Sequence, residues 1–175
     1  MSQVSLNTKR LLLRRWCDVD VEPFAAMCSD PEVMRYIGSG ATRSYAQAQT
    51  SIHAYEREWH EKGFGLFAVE RLEDGRFLGF TGLTVPSFLP AVMPAVEIGW
   101  RFARQIWGNG YASEAAQAAL DFGFQTLGLP EIVGIHQTEN RASGRIMEKL
   151  GMRFDREAID PTCGRSIRVY RTCLR

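Results

Sequence analysis

Residues 96–112 read Val96-Glu-Ile-Gly-Trp-Arg-Phe-Ala-Arg-Gln-Ile-Trp-Gly-Asn-Gly-Tyr-Ala112, and this stretch decides the fold. Val96–Phe102 alternates apolar residues at 96, 98, 100 and 102, the period of a half-buried strand. Gln105-x-x-Gly108-x-Gly110 follows, and an alanine-rich helix begins at once. A strand, a glycine loop and a helix start present free backbone N–H groups and a positive helix end to an anion. The glycines let the backbone approach that anion with no Cβ in the way. A Walker loop would need Lys and Ser or Thr after the last glycine, where Tyr111 and Ala112 stand. A dinucleotide fingerprint would need a third Gly or Ala where Ser113 stands. The segment is a phosphate cradle of another kind, or an ordinary glycine turn.

The spacing Gln/Arg-x-x-Gly-x-Gly/Ala after a strand resembles the acetyl-CoA pyrophosphate loop of the GNAT N-acetyltransferases. A second segment, Asn140-Arg-Ala-Ser-Gly-Arg-Ile-Met-Glu-Lys-Leu-Gly-Met152, resembles the helix after the fifth strand of that superfamily. Its form, Asn-x-x-Ser followed by Lys-Leu-Gly, is similar to the branch that acetylates N-termini of ribosomal proteins (RimJ/RimL-like). Thr8-Lys-Arg-Leu-Leu-Leu-Arg-Arg and Asp30-Pro-Glu-Val-Met-Arg-Tyr also look like that branch. The likeness runs over essentially the whole chain.

Working outward, Leu11–Arg15 reads as a strand, and Asp18 or Asp20 as the cap of a short helix holding Phe24, Ala25 and Met27. Ser44–Glu61 is helical, with Ala48, Ile52, Tyr55 and Trp59 on one stripe and Lys62-Gly63 at its end. Phe64–Arg71 and Phe77–Val85 read as strands joined by Glu73-Asp74-Gly75. Pro86–Pro94 is an apolar loop that reads as a lid, a subunit contact, or a segment folded on the core. A helix is expected over Tyr111–Leu127, with Ala112, Ala116, Leu120, Gly123 and Leu127 on one face and Gly128 stopping it. Glu131–Gln137 is a strand, Asn140 caps the next helix, and Gly151 ends that one. Two strands, near Arg153–Asp155 and Ser166–Arg171, flank a turn at Asp160-Pro161. The order gives an α/β chain with a mixed sheet and helices on both faces. The resemblance implies the same order, the GNAT acetyltransferase fold.

At 175 residues the chain fits a single domain spanning 1–175, and a chain of this size buries roughly 70% of its unfolded surface. A net charge of +1 gives no footprint for nucleic acid or an acidic membrane. Lys9, Arg10, Arg14 and Arg15 cluster beside the first strand, where a solvated face is the expectation. Cys17, Cys28, Cys163 and Cys173 have no metal spacing and lie far in sequence from His53, His60 and His136, so no metal is expected. Unpatterned cysteines without a signal peptide fit a reducing cytoplasm. No apolar run approaches a membrane span. Monomer and homodimer both stay open.

The resemblance implies acetyl-CoA as acetyl donor and an amine as acceptor, either a protein N-terminus or a small molecule. It places the pyrophosphate on Gln105, Ile106, Trp107, Gly108, Asn109, Gly110 and Tyr111. The pantetheine arm runs beside Ile98, Gly99 and Trp100, with a contact from Asn140. Asn140 also reads as a helix N-cap with Ser143 at N3. Many relatives carry a tyrosine seven residues after the asparagine as general acid; that position here is Met147, which has no proton to give. Ser143 is the nearest hydroxyl on the helix and the candidate donor to the thiolate. Candidate bases are Glu97, His136 and Glu139, with Glu97 favoured over His136, while Glu114 reads as structural. No cysteine sits in a motif for an acetyl-enzyme. The competing class is a non-catalytic acyl-CoA-binding or regulatory module, and the missing tyrosine is the feature that favours it.

Overall fold

Eight strands form one mixed sheet in a computed structural model that describes residues 4–173. Their ranges are β1 (Leu6–Asn7), β2 (Leu11–Arg14), β3 (Leu66–Arg71), β4 (Phe77–Thr84), β5 (Glu97–Phe102), β6 (Glu131–Gln137), β7 (Arg153–Ile159) and β8 (Ser166–Cys173). The spatial order is β1-β2-β3-β4-β5-β6-β8-β7. Helices α1 (Val21–Ser29), α2 (Pro31–Met34) and α3 (Tyr45–Lys62) sit on one side, and α4 (Tyr111–Asp121) and α5 (Arg141–Lys149) on the other. This is the α/β arrangement expected from the pattern.

Alternation along β5 sets the two faces. Ile98 and Phe102 join Ala115, Ala116, Ala119 and Leu120 of α4 in one core. The opposite side of β4 and β5 carries Phe80, which packs with Trp16, Phe24 and Tyr55 in an aromatic cluster under α1 and α3. Each large side chain fully buried in these clusters contributes about 1.5–3 kcal/mol. Glu97, Gly99 and Arg101 therefore project toward the α1–α3 side.

Several local expectations need correction. A short strand, β1, precedes the first expected one and pairs with it. Neither Asp18 nor Asp20 caps α1 with its side chain. Asp20 turns back instead, accepting from Arg14 at 2.7 and 2.9 Å and from the Cys17 N–H at 3.0 Å. Asp30 is the side chain that caps, opening the one-turn α2 by accepting from Glu32 N–H at 2.9 Å. The helix expected over Tyr111–Leu127 is α-helical only to Asp121. Phe122–Thr126 form a wider π turn, in which Leu127 N–H donates to Phe122 C=O. Gly123 sits in that turn because a Cβ there would stand 2.6 Å from Ile132 Cδ1. The C-terminal strands are longer than expected. Of the three readings of the Pro86–Pro94 loop, the segment folded on the core is the one observed. Leu89 and Val92 pack on Val133, Ile167 and Val169, so the loop folds over the β6–β8 face.

Lys9 of the basic cluster is exposed, but its three arginines have internal partners rather than forming one solvated face. Arg14 bridges Asp20 and Glu70, Arg15 pairs with Glu56, and Arg10 pairs with Glu114. No helix among the described residues is long and apolar enough to cross a membrane.

Candidate active site

β5 and β6 are parallel neighbours, yet they pair only at Glu97↔Val133 and Ile98↔Gly134. β5 remains paired with β4 along its whole length, and β6 with β8. Beyond Ile98 and Gly134 the two strands diverge, which leaves Gly99 and Trp100 facing Ile135 and His136 without ladder bonds between them. A row of main-chain donors and acceptors thus opens in the middle of the sheet, and unpaired backbone groups of this kind call for a partner.

Two cavities meet at this opening. The larger, about 310 Å³, lies on the α1–α3 side and includes Glu97, Gly99, Phe88 and His136 in its walls. The second, about 280 Å³, reaches from the opening to Trp107, Gly108 and Ala112 at the start of α4. Tyr36, Ile37, Trp100, Arg101, Asn140 and Ser143 line both. Gly99 leaves the floor of the larger cavity open, since a Cβ there would meet nothing within 4 Å.

The glycine loop forms as its residues dictate. Gly108 and Gly110 take φ of +81° and +77°, a region that side chains with a Cβ rarely occupy. Gly110 is the N-cap residue of α4, and its carbonyl accepts from Glu114 N–H. Among the described residues, no protein acceptor takes the N–H groups of Gly108, Asn109, Gly110, Tyr111 or Ala112. Arg10 braces the loop: it donates to Asn109 C=O at 3.0 Å, pairs with Glu114 at 2.7 Å, and stacks over Tyr111 at 4.3 Å. Glu114 also accepts from Thr8 Oγ1 and the Arg10 N–H, so it ties α4 to the first hairpin, a structural role. Gln105, Trp107 and Asn109 are exposed, whereas Ile106 turns into the core and offers a ligand only its backbone.

Asn140 caps α5, its Oδ1 accepting from Ser143 N–H at 3.2 Å, as the sequence spacing indicated. The Ser143 hydroxyl has no protein hydrogen bond among the described residues and faces both cavities. Met147 is buried against Gly134, a hydrophobic filler where a tyrosine would otherwise reach the cleft. Replacing Asn140 by Ala should cost about 1 kcal/mol of stability through the lost cap. Thermal unfolding reads that loss, and a fall in coenzyme A affinity under conditions where the variant stays folded would read the ligand contact separately.

The candidate bases separate by environment. Glu97 lines the larger cavity without a hydrogen-bond partner among the described residues, and desolvation pushes its pKa up to about 8. His136 is buried, and burial lowers its pKa. Its Nδ1 lies 2.8 Å from Gln137 C=O, its Nε2 abuts Gly144 of α5, and its ring lies 5.5 Å from Tyr170. Glu139 sits on the exposed turn before α5, outside both cavities. Sequence reading passed over Arg101 and Tyr36. Arg101 alternates with named site residues and so was within reach, whereas Tyr36 ends a segment whose likeness to the family carried no site role.

A glycine loop with free N–H groups at one end of a cleft between diverging parallel strands has the geometry to take a long phosphorylated molecule edge-on to a sheet. The sequence model of the acetyltransferase (GNAT) domain matches residues 10–153, and the chain belongs to that family as an acetyltransferase. YkkB of Bacillus subtilis is 35% identical over 158 residues, covering 89% of this chain and 88% of that protein. The uncharacterized N-acetyltransferase YoaA of the same organism is 33% identical over 88% of this chain and 84% of its own length. The crystal structure of an acetyltransferase from Agrobacterium tumefaciens str. C58 superposes with a TM-score of 0.83 at 28% identity, covering 99% of this chain and 96% of that one.

With the family established, the loop can be tested as a pyrophosphate site. Gly108→Val and Gly110→Val should each weaken coenzyme A binding at least tenfold, about 1.4 kcal/mol. The valine is penalised by the positive φ rather than by a clash, because no atom lies within 4 Å of a Cβ at Gly108. Calorimetric affinity unchanged in both folded variants would remove the pyrophosphate from this loop.

Proposed function

We propose that the protein is an acetyl-CoA-dependent N-acetyltransferase that transfers acetyl directly to a primary amine. The observation that carries this reading is the junction of the two cavities at the gap between β5 and β6. The smaller cavity leads from the glycine loop to Trp100 and Ser143, a path suited to pantetheine. The larger opens on the same atoms from the other side and suits an acceptor.

In this reading the pyrophosphate takes the N–H groups of Gly108–Ala112, with the helix end adding its partial positive charge. The pantetheine amides pair with the free edge of β5 near Ile98–Trp100, and Asn140 adds a side-chain contact. A main-chain N–H beside the thioester carbonyl stabilises the developing oxyanion, and such a donor is typically worth about 3–4 kcal/mol. The amine nitrogen attacks the carbonyl carbon, the C–S bond breaks, and the thiolate takes a proton or hydrogen bond from Ser143. Glu97, when ionised, accepts the proton that the nitrogen sheds, directly or through a water.

Coenzyme A thiol release from acetyl-CoA in the presence of a panel of primary amines tests the reading. Amine-dependent release with intersecting double-reciprocal lines is expected. Parallel lines, with acetyl retained on the protein, would replace direct attack by a covalent route.

A further inference from the structure

Arg101 is a charge in the site that no carboxylate among the described residues answers. Its side chain projects from β5 on the same face as Glu97 and is 9% exposed, at the wall shared by both cavities. Its only hydrogen bond among the described residues runs from Nη1 to Cys28 Sγ at 3.5 Å. Its Nε is buried with no partner, and its guanidinium stands over the Phe80 ring at 5.2 Å. No carboxylate among the described residues lies within ion-pair distance of it. Half-buried arginines elsewhere have one: Arg14 has Asp20 and Glu70, Arg15 has Glu56, and Arg171 has Glu131 and Asp155.

A buried guanidinium without a counter-charge is costly, because its lost hydration is not repaid. Packing alone would favour an apolar residue at this position. The acids around the cavities do not repay it. Asp160 is occupied by Thr162, accepting at 2.8 and 2.6 Å. Glu32 faces Arg35, and Glu97 carries a proton at neutral pH because burial raises its pKa to about 8. His136, which also lines the wall, has its pKa lowered by burial. The larger cavity therefore offers an anion a planar, multi-donor partner in a partly dehydrated setting, where such pairing is strongest.

We propose that Arg101 is a specificity-determining residue that binds an oxyanion, carboxylate or phosphate, borne by the same small molecule that presents the amine. The inference rests on the acetyl-transfer reading above and narrows its acceptor to small anionic amines of the amino-acid kind. The spacing suits this. Gly99, where the thioester is expected, is two residues from Arg101, a step of about 6.6 Å along a strand. An amine over Gly99 and an anion at the guanidinium thus fall within one small molecule. The peptide bond that follows a protein N-terminal amine carries no such anion.

The test compares L-amino acids with their methyl esters, and O-phosphoethanolamine with ethanolamine, by thiol release and by titration into the protein saturated with coenzyme A. For at least one pair, the anionic amine should exceed its neutral counterpart at least 100-fold in kcat/KM and bind correspondingly tighter. In Arg101→Gln that ratio should collapse to within tenfold, mainly through a raised KM for the anionic amine. Arg101→Lys should keep part of the ratio, and it serves as the variant if Arg101→Gln does not fold. A carboxylate or a phosphate preference identifies which oxyanion is read. Equal handling of charged and neutral members by the wild-type protein, or a preference that survives Arg101→Gln, overturns the proposal. Thiol release with neutral amines alone would do so while leaving acetyl transfer standing. Absence of release with every amine would defeat the acetyl-transfer reading, and the titrations would still decide whether Arg101 selects an anion.

Discussion

Glu97→Gln is expected to lose 10²-fold or more in kcat/KM at pH 8, the usual contribution of a positioned general base. The substitution keeps the size of the side chain and removes only its ability to take a proton. Glu97 lines the larger cavity on the strand that borders the gap, and burial raises its pKa to about 8. The base is the ionised form, so wild-type kcat/KM should rise with pH through about 8 and level above it. An amine acceptor adds its own limb at higher pH, and in Glu97→Gln only that limb should remain. His136→Gln should lose much less, because its Nε2 is pressed against α5 and its Nδ1 lies against a carbonyl. Wild-type rates and limbs in both variants would mean that bulk water deprotonates the amine and the enzyme works mainly by positioning.

The raised pKa also makes a stability statement. The unfolded chain releases the Glu97 proton near the ordinary carboxylate value, about 4.3, and the folded chain holds it to about 8. Between these values the native state binds more protons, so this group makes stability fall as pH rises. Glu97→Gln should therefore unfold at a higher temperature than wild type at pH 8–9 and show little difference at pH 5.

Ser143→Ala should lower kcat on the order of 10²-fold while leaving acetyl-CoA binding nearly unchanged. The variant is clean because Asn140 caps the helix through the backbone N–H of residue 143, which alanine retains. The hydroxyl makes no protein hydrogen bond among the described residues, so its removal leaves no orphaned partner. It lies where both cavities meet, and Met147, one turn further on, has no proton to offer. Full activity in Ser143→Ala would give the thiolate to solvent or to Tyr36, the hydroxyl that also lines both cavities.

Most of the fold was legible because its strongest signals are local. The alternation at 96–102, the paired glycines, the Asn140 cap and the Glu73-Asp74-Gly75 turn each act within a few residues. The elements misread depend on distant partners. Asp20 left its capping position for Arg14, a residue on another element. The π turn at Phe122–Thr126 accompanies the close approach of Gly123 to Ile132. The apolar loop after β4 gave three readings by composition, and its seat on β6 and β8 follows only from the sheet order. In the site, residue identity gave the chemistry of Glu97 and Ser143. Desolvation of Glu97 and the solitude of Arg101 arise only when α1, the loop after α2 and β5 close around them.

The central claim is that coenzyme A threads from the glycine loop to the gap between β5 and β6, and a crystal structure of the coenzyme A complex tests it most directly. The account predicts pyrophosphate oxygens on the N–H groups of Gly108–Ala112, pantetheine along Ile98–Trp100, and the sulfur within hydrogen-bond reach of Ser143 Oγ. A pyrophosphate bound elsewhere, or a sulfur outside the gap with β5 and β6 unoccupied between them, would contradict it.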